Sequence, residues 1–346
     1  MMSKAKCWMM VCALLSCVCA VAPAQNKGKL QIYFIDVEGG QSTLFVTPVG
    51  QSLLIDTGWP DNNGRDTDRI MAAAKKAGIS KIDYVLFTHY HVDHVGGAPQ
   101  LAARIPIGTF IDHGPNRETS DASTVKGYEA YQKLLASGKY KHIVAKPGET
   151  LPVKGLNVFV VSADGNLIDH ALPGGGEENS YCKASETRPA DQSENGRSLG
   201  VLITFGKLRI LDLGDLTWDK EMQLMCPVNK LGHVNILVVS HHGLYQSSSP
   251  ALVDAIHPQI AVMDNGEKKG GSKATLETFK SIPGLETLWQ LHYSDEGGQI
   301  LNTQDEYIAN PQGPDKGFGL EVTAGEDGNF SILNPRTGQS KSYTAK

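Results

Sequence analysis

Short apolar runs rich in Val, Ile, Leu and Phe recur along the chain between clusters of Gly, Asp, Asn and Pro, the pattern of strands separated by turns. Residues 30–37, 43–47 and 51–55 predict an antiparallel meander, with turns around Gly39-Gly40 and at Pro48-Val49-Gly50. A slower rhythm follows. Ile70, Ala73, Ala74 and Ala77 share one face of a helix that Asp66 is placed to cap and Gly78 to end. A strand at 84–88, a helix at 100–104, a strand at 105–111 and a helix at 123–137 come next, the last turning Tyr128, Tyr131, Leu134 and Leu135 inward. Strands at 142–145 and 156–162 lead into a polar stretch without period, 164–197, which reads as a long loop. The second half resumes with strands at 198–205 and 208–213, a helix from Thr217 to about Met225 and a strand at 235–240. A helix at 250–256, a strand at 259–263, a helix at 273–281 and a strand at 286–291 continue it, and residues 319–345 predict a terminal β-hairpin. Two halves of this kind predict an α/β fold with two sheets face to face and helices outside.

The strand ends carry the chemistry. Tyr84-Val85-Leu86-Phe87 runs straight into Thr88-His89-Tyr90-His91-Val92-Asp93-His94, then Gly96-Gly97. His89 and His91 are two apart, so on a continuing strand they project to the same side. Asp93 and His94 follow as the chain turns and face a second point, which makes the stretch half of a two-metal site. Imidazole and carboxylate are the ligand set of Zn(II), with Mn(II) or Fe as alternatives. Asp56, Asp215, His241 and His242 also follow apolar runs, so stacked sheets bring them to one edge. His113 and His292 stand at strand ends too, in reach of a substrate or a leaving-group oxygen. His170 in the long loop reaches that edge only if the loop folds over it. The segment Asn265–Ser272, with Lys268 and Lys269, suits a phosphate. There is no G-x-S-x-G nucleophile signature.

The first residues and the charge narrow the setting. Lys4 and Lys6 precede an apolar run from Cys7 to Val21 and an A-x-A site at Ala22-Pro23-Ala24, the pattern of a secretory signal peptide covering residues 1–24. The run is shorter than the roughly 20 residues of a membrane span, and Leu14-Leu15-Ser16-Cys17 offers lipoprotein anchoring as an alternative. Cleavage removes two lysines and no acid, making the formal charge of −5 more negative still, which argues against general nucleic-acid binding. Cys182 and Cys226 remain in the mature chain, where an oxidising compartment would let them pair. Nothing after the leader is long and apolar enough to cross a bilayer. The expected location is the periplasm or the exterior.

The motifs Leu54-Ile55-Asp56-Thr57-Gly58, His89-x-His91-x-Asp93-His94, Gly214-Asp215 and Ser240-His241-His242-Gly243 resemble those of the metallo-β-lactamase fold, a superfamily of mostly dinuclear hydrolases. Within it, Phe34-Ile35-Asp36-Val37 and Val239-Ser240-His241-His242-Gly243 are most similar to the extracytoplasmic hydrolase domain of bacterial DNA-uptake competence proteins. The resemblance implies a four-layer αββα sandwich over residues 25–346, with its core at about 30–295 and a β extension at 319–346. It implies two Zn ions: His89 and His91 on one, Asp93 and His94 on the other, Asp215 bridging, and His242 completing the second. His241 is the alternative to His242, or its neighbour. Asp93 would orient the water that attacks. The superfamily's further histidine, ahead of the strand pair that ends in the bridging Asp, is absent from Ser193–Ser198, leaving Asn195 or Glu194 to substitute and the His89/His91 side the less complete. The implied activity is metal-dependent hydrolysis of a phosphodiester or phosphate ester. The alternatives are a β-lactam, lactone or thioester hydrolase, and a metal-depleted binding protein.

Overall fold

In the computed structural model, which describes residues 28–346, the strands assemble into two nine-stranded sheets; the predicted leader lies outside the described residues. The first sheet takes β1 (Leu30–Phe34), β2 (Thr43–Val46), β3 (Ser52–Ile55), β4 (Ile82–Leu86), β5 (Ile107–Asp112) and β6 (Lys141–Val144), side by side in that order. The second takes β7 (Thr150–Leu151), β8 (Asn157–Ala163), β9 (Asn166–Leu167), β10 (Gly200–Phe205) and β11 (Leu208–Asp212). It continues through β12 (Ile236–Val238), β13 (Ile260–Met263), β14 (Thr287–His292) and β15 (Ile308–Asn310). The chain then returns to the first sheet as β16 (Leu320–Ala324), β17 (Asn329–Asn334) and β18 (Gln339–Thr344), with β16 antiparallel to β1.

Period-two alternation sorts the apolar residues into three cores. Ile32, Phe34, Ile55 and Leu86 of the first sheet meet Val201, Ile203, Ile210, Ile236, Val238 and Val262 of the second in the space between them. On the other face of the first sheet, Tyr33, Leu44, Leu54 and Val85 pack with Ile70, Val95, Leu101 and Tyr131. Those four come from α1 (Arg65–Lys76), α2 (Val92–Val95), α3 (Ala98–Ala102) and α4 (Ala122–Ala136). On the far face of the second, Leu202, Leu211, Leu237 and Met263 pack with Leu224, Leu252, Leu276 and Phe279, from α5 (Trp218–Met225), α6 (Pro250–Val253) and α7 (Lys273–Ser281). The result is the expected αββα sandwich. Strands buried on both faces read as continuous apolar runs, which is how the sequence displays them.

Two local expectations need correction. Asp66 does not cap α1: Gly64, at φ 78°, holds the N-cap position, and the Asp66 carboxylate in the first turn accepts the Trp59 N–H at 2.8 Å and pairs with Arg65. The terminal hairpin is a three-stranded meander, because the turns after Ala324 and after Asn334 each reverse the chain. The long loop contains β9 and short 3₁₀ turns, and a Cys182–Cys226 disulfide ties it to the end of α5.

Strands β3, β4, β5 and β6 run parallel, as do β11 through β15. Their carboxyl ends therefore open on one edge of the sandwich, the place where open α/β sheets bind ligands. Gly214 lets the two sheets meet there: at φ 55° it carries the chain past Thr88, and a Cβ would lie 2.6 Å from the Thr88 Cβ. Gly214→Ala is expected to destabilise the metal-free protein by about 2 to 4 kcal/mol, from left-handed backbone strain and overpacking together, read as a lowered urea midpoint at unchanged slope.

Candidate metal centre

Strand β4 ends at Leu86, the chain bends at Thr88, and His91, at φ −61° and ψ 149°, is the residue before α2. His89 and His91 still come together, with ring centroids 4.7 Å apart. Asp93 and His94 sit in the single turn of α2, with the His94 ring 4.0 Å from that of His89. From the other sheet, Asp215 follows β11 across Gly214. His241 and His242 follow β12 in left-handed conformations, φ 56° and 53°.

Two sets of ligand atoms result, each within a 4.8 Å spread: His89, His91 and Asp215, and Asp93, His94, Asp215 and His242. In the second, His242 Nε2 lies 3.1 Å from Asp93 Oδ2 and 3.2 Å from His94 Nε2, and His94 Nε2 is 3.3 Å from Asp215 Oδ2. His89 Nε2 is 3.7 Å from the same Asp215 oxygen. Both His89 Nε2 and Asp215 Oδ1 are buried without a hydrogen-bond partner. Leaving such groups unpaired costs roughly 1–3 kcal/mol each, and lone pairs converging from imidazoles and carboxylates fit a divalent cation. The residues present therefore suit the expected ions.

His89, His91 and His94 are hydrogen-bonded from behind, as metal-ligating histidines are, and His242 has a charge contact there. Asp56 Oδ2 lies 2.7 Å from His94 Nδ1, Thr88 Oγ1 lies 3.1 Å from His89 Nδ1, and Asp264 Oδ1 lies 3.4 Å from His242 Nδ1. Glu118 Oε2 lies 2.9 Å from His91 Nε2, which leaves Nδ1 of His91 to face inward. Thr88 Oγ1 also donates to Asp56 at 2.6 Å. Sequence reading missed Glu118 and Asp264. Asp264 carried the same signal as the others, an acid directly after an apolar strand, whereas Glu118 lies in a loop and carried none.

The site is dense in charge. Burial alone would neutralise Asp215 and Asp93, but His94, His241 and His242 around the first, and Lys269 and His94 around the second, hold both carboxyls well below their usual range. Burial likewise disfavours a charged His242, yet Asp215 and Asp264 outweigh it and raise its pKa to about 10. Burial wins at His89 and His241: it lowers both, His241 to about 4. Lys269 reaches in from the loop after β13, pairing with Asp93 and donating to the Gly39 carbonyl at 2.7 Å, with its ammonium 4.9 Å from the Trp59 ring.

The structure does not bring His113 or His292 into this cluster. His113 is fully buried and paired at 3.0 Å with Glu194, and His292 is paired at 2.7 Å with Asp36, which also holds Arg69. Each has its Nε2 on a carboxylate at one end of the edge. Glu194 is no substitute ligand either, since one oxygen takes His113 and the other the Arg117 N–H at 2.8 Å. His170 lies exposed beside Asp169, away from the cluster.

Residues 36–175, which include Asp56 and the whole His89–His94 stretch, match the family model of the metallo-beta-lactamase superfamily. The chain carries a metallo-β-lactamase superfamily domain. Its relatives include the competence proteins that the motifs implied. Recombination protein 2 of Haemophilus influenzae is 24% identical over 242 residues, 70% of this chain and 25% of that protein. Competence protein ComA of Neisseria gonorrhoeae is 22% identical over 245 residues, 71% of this chain and 28% of that one. This chain thus spans about a quarter of their length. A UPF0173 metal-dependent hydrolase of Cupriavidus metallidurans is 22% identical over 287 residues, 81% of this chain and 88% of that one.

The charges of this metallo-β-lactamase domain make a pH prediction for its metal-free form. A histidine whose pKa is raised on folding stabilises the fold fully below its unfolded value of 6.5, and that contribution is lost as pH rises through the folded value. The metal-free protein is therefore expected to lose thermal stability between about pH 6.5 and about 10 through His242. A melting temperature that is flat or rising over that window would contradict it.

Proposed function

We propose that this metal-dependent hydrolase cleaves a phosphodiester or phosphate ester outside the cytoplasm. The observation that carries the substrate class is Lys269: a half-buried ammonium placed against Asp93, at the mouth of the cluster, where a substrate's anionic oxygen would sit. The exposed Lys268 beside it adds to the positive loop. The chain's net negative charge favours a small substrate over a long nucleic-acid strand. Support for export comes from the Cys182–Cys226 disulfide, which persists in oxidising compartments. Among the described residues no helix is long and apolar enough to cross a membrane.

His89 and His91 would hold one divalent ion, Asp93, His94 and His242 the other, and Asp215 both. Zn(II) suits the donors best, with Mn or Fe as alternatives. Such ions supply Lewis acidity and lower the pKa of a water from about 15.7 to about 7. The protein's own groups do the rest. Asp56, Glu118 and Asp264 fix the rings, Asp93 orients the attacking water, and Lys269 neutralises the anionic oxygen of the substrate. No side-chain nucleophile is needed.

Purified protein supplied with Zn or Mn is expected to turn over bis(p-nitrophenyl) phosphate; hydrolysis of a chromogenic cephalosporin alone would overturn the substrate class. Lys269→Met should raise KM for the diester by about tenfold or more, the worth of a charge-assisted hydrogen bond, with a smaller change in kcat. Asp215→Ala should lose bound metal by mass spectrometry, and unchanged content would remove Asp215 from the site. Fewer than about one ion per chain, with no hydrolysis after metal addition, would mark a binding protein instead.

A further inference from the structure

The His89/His91 set has one protein ligand fewer than its neighbour, and the segment expected to supply it contains no histidine. The imidazole beside Asp215 that belongs to neither set is that of His241. Its Nε2 lies 3.5 Å from Asp215 Oδ2, the oxygen that His89 Nε2 also faces at 3.7 Å, whereas His242 Nε2 approaches the other oxygen, Oδ1, at 3.6 Å. The two adjacent histidines thus approach different oxygens of the carboxylate, His241 sharing Oδ2 with His89 and with His94 at 3.3 Å. Left-handed backbone at both is what aims them so, and for non-glycine residues that conformation costs roughly 1–3 kcal/mol each and persists where the surroundings impose it.

The polar contacts of His241 prepare its lone pair. Asn195 Nδ2, 3.3 Å from Nε2, is a donor and calls for an unprotonated Nε2. The proton then belongs on Nδ1, facing Ser247 Oγ at 3.5 Å. A neutral imidazole with an unprotonated inward nitrogen, held only by the long contact from Asn195, and a hydroxyl behind it is in the tautomer a metal requires. Glu194, the other candidate, has both oxygens engaged elsewhere.

We propose that His241 is the missing protein ligand of the His89/His91 position, so that the His241-His242 pair divides between the two metal positions. The inference rests on the metal-dependent reading above and is tested by metal binding, not turnover. His241→Gly removes the imidazole at a φ that glycine adopts freely, so the metal-free variant should melt no lower than the wild type. After reloading with Zn(II) and gel filtration, the wild type should carry about two ions per chain and His241→Gly about one. Free imidazole should restore the second ion, which a purely structural role for His241 would not allow. If the glycine variant fails to fold, His241→Ala takes its place in the same assay.

Two ions in the wild type and two in the variant, at equal resistance to a chelator, would overturn the inference and leave the hydrolase reading intact. A wild type holding no tightly bound ion would bring down that reading, and the inference with it. A wild type holding one ion that His241→Gly retains would also overturn the inference, while its loss would support it.

Discussion

Everything at the open edge of the sandwich depends on the carboxylate of Asp215 being buried between the sheets. A buried charge is tolerated only where it is paired, and both sheets supply the pairing: His89 and His94 come from the first sheet, His241 and His242 from the strand beside its own in the second. Sheet packing and site assembly are therefore one event. The interlocking extends sideways, where Gln41 Nε2 donates to Asp212 at 2.7 Å, the Leu199 N–H donates to the Thr88 carbonyl at 2.7 Å, and His292 meets Asp36.

That dependence explains why carboxylate–histidine pairs recur here with different meanings. Asp56–His94, Glu118–His91 and Asp264–His242 turn an imidazole's other nitrogen toward the centre. Glu194–His113 and Asp36–His292 use the same chemistry to tie loops to strand ends, with Arg117 and Arg69 as further partners. A histidine after a strand is therefore ambiguous in sequence. What separates the two classes is where the unbonded nitrogen points, which only the packed sheets decide.

The legible part of the molecule was the part written in local pattern. Runs such as Val201–Phe205 and Ile236–Val238 are apolar on both faces because they are covered on both, so their extent could be read directly. The His89–His94 stretch was legible because its ligands are consecutive. Asp215 and His242 came from resemblance, since nothing local distinguishes Asp215 from Asp212 three residues before it. Asp212 instead accepts from Gln41 and the Gly214 N–H. Glu118, the true place of Glu194 and the reach of Lys269 to Asp93 depend on contacts across long sequence separations. The Asp66 cap failed because the preceding turn puts Gly64 at the N-cap in a left-handed conformation, leaving the acid free to hold the Trp59 N–H.

The distribution of charge within the site follows one gradient. Asp93 and Asp215, at the centre, keep their carboxyls far below the ordinary range because cationic groups surround them. Behind His94 the balance reverses: burial raises Asp56 despite its bonds to His94 and Thr88. A carboxylate held in such surroundings binds a proton more readily, and so accepts the hydrogen of the imidazole in front of it more strongly. That makes the opposite nitrogen of the ring a better electron donor. Asp56 thus does more than orient. Its poor solvation strengthens the inner lone pair of His94, so a burial that is costly for folding also helps to equip the edge to hold a cation.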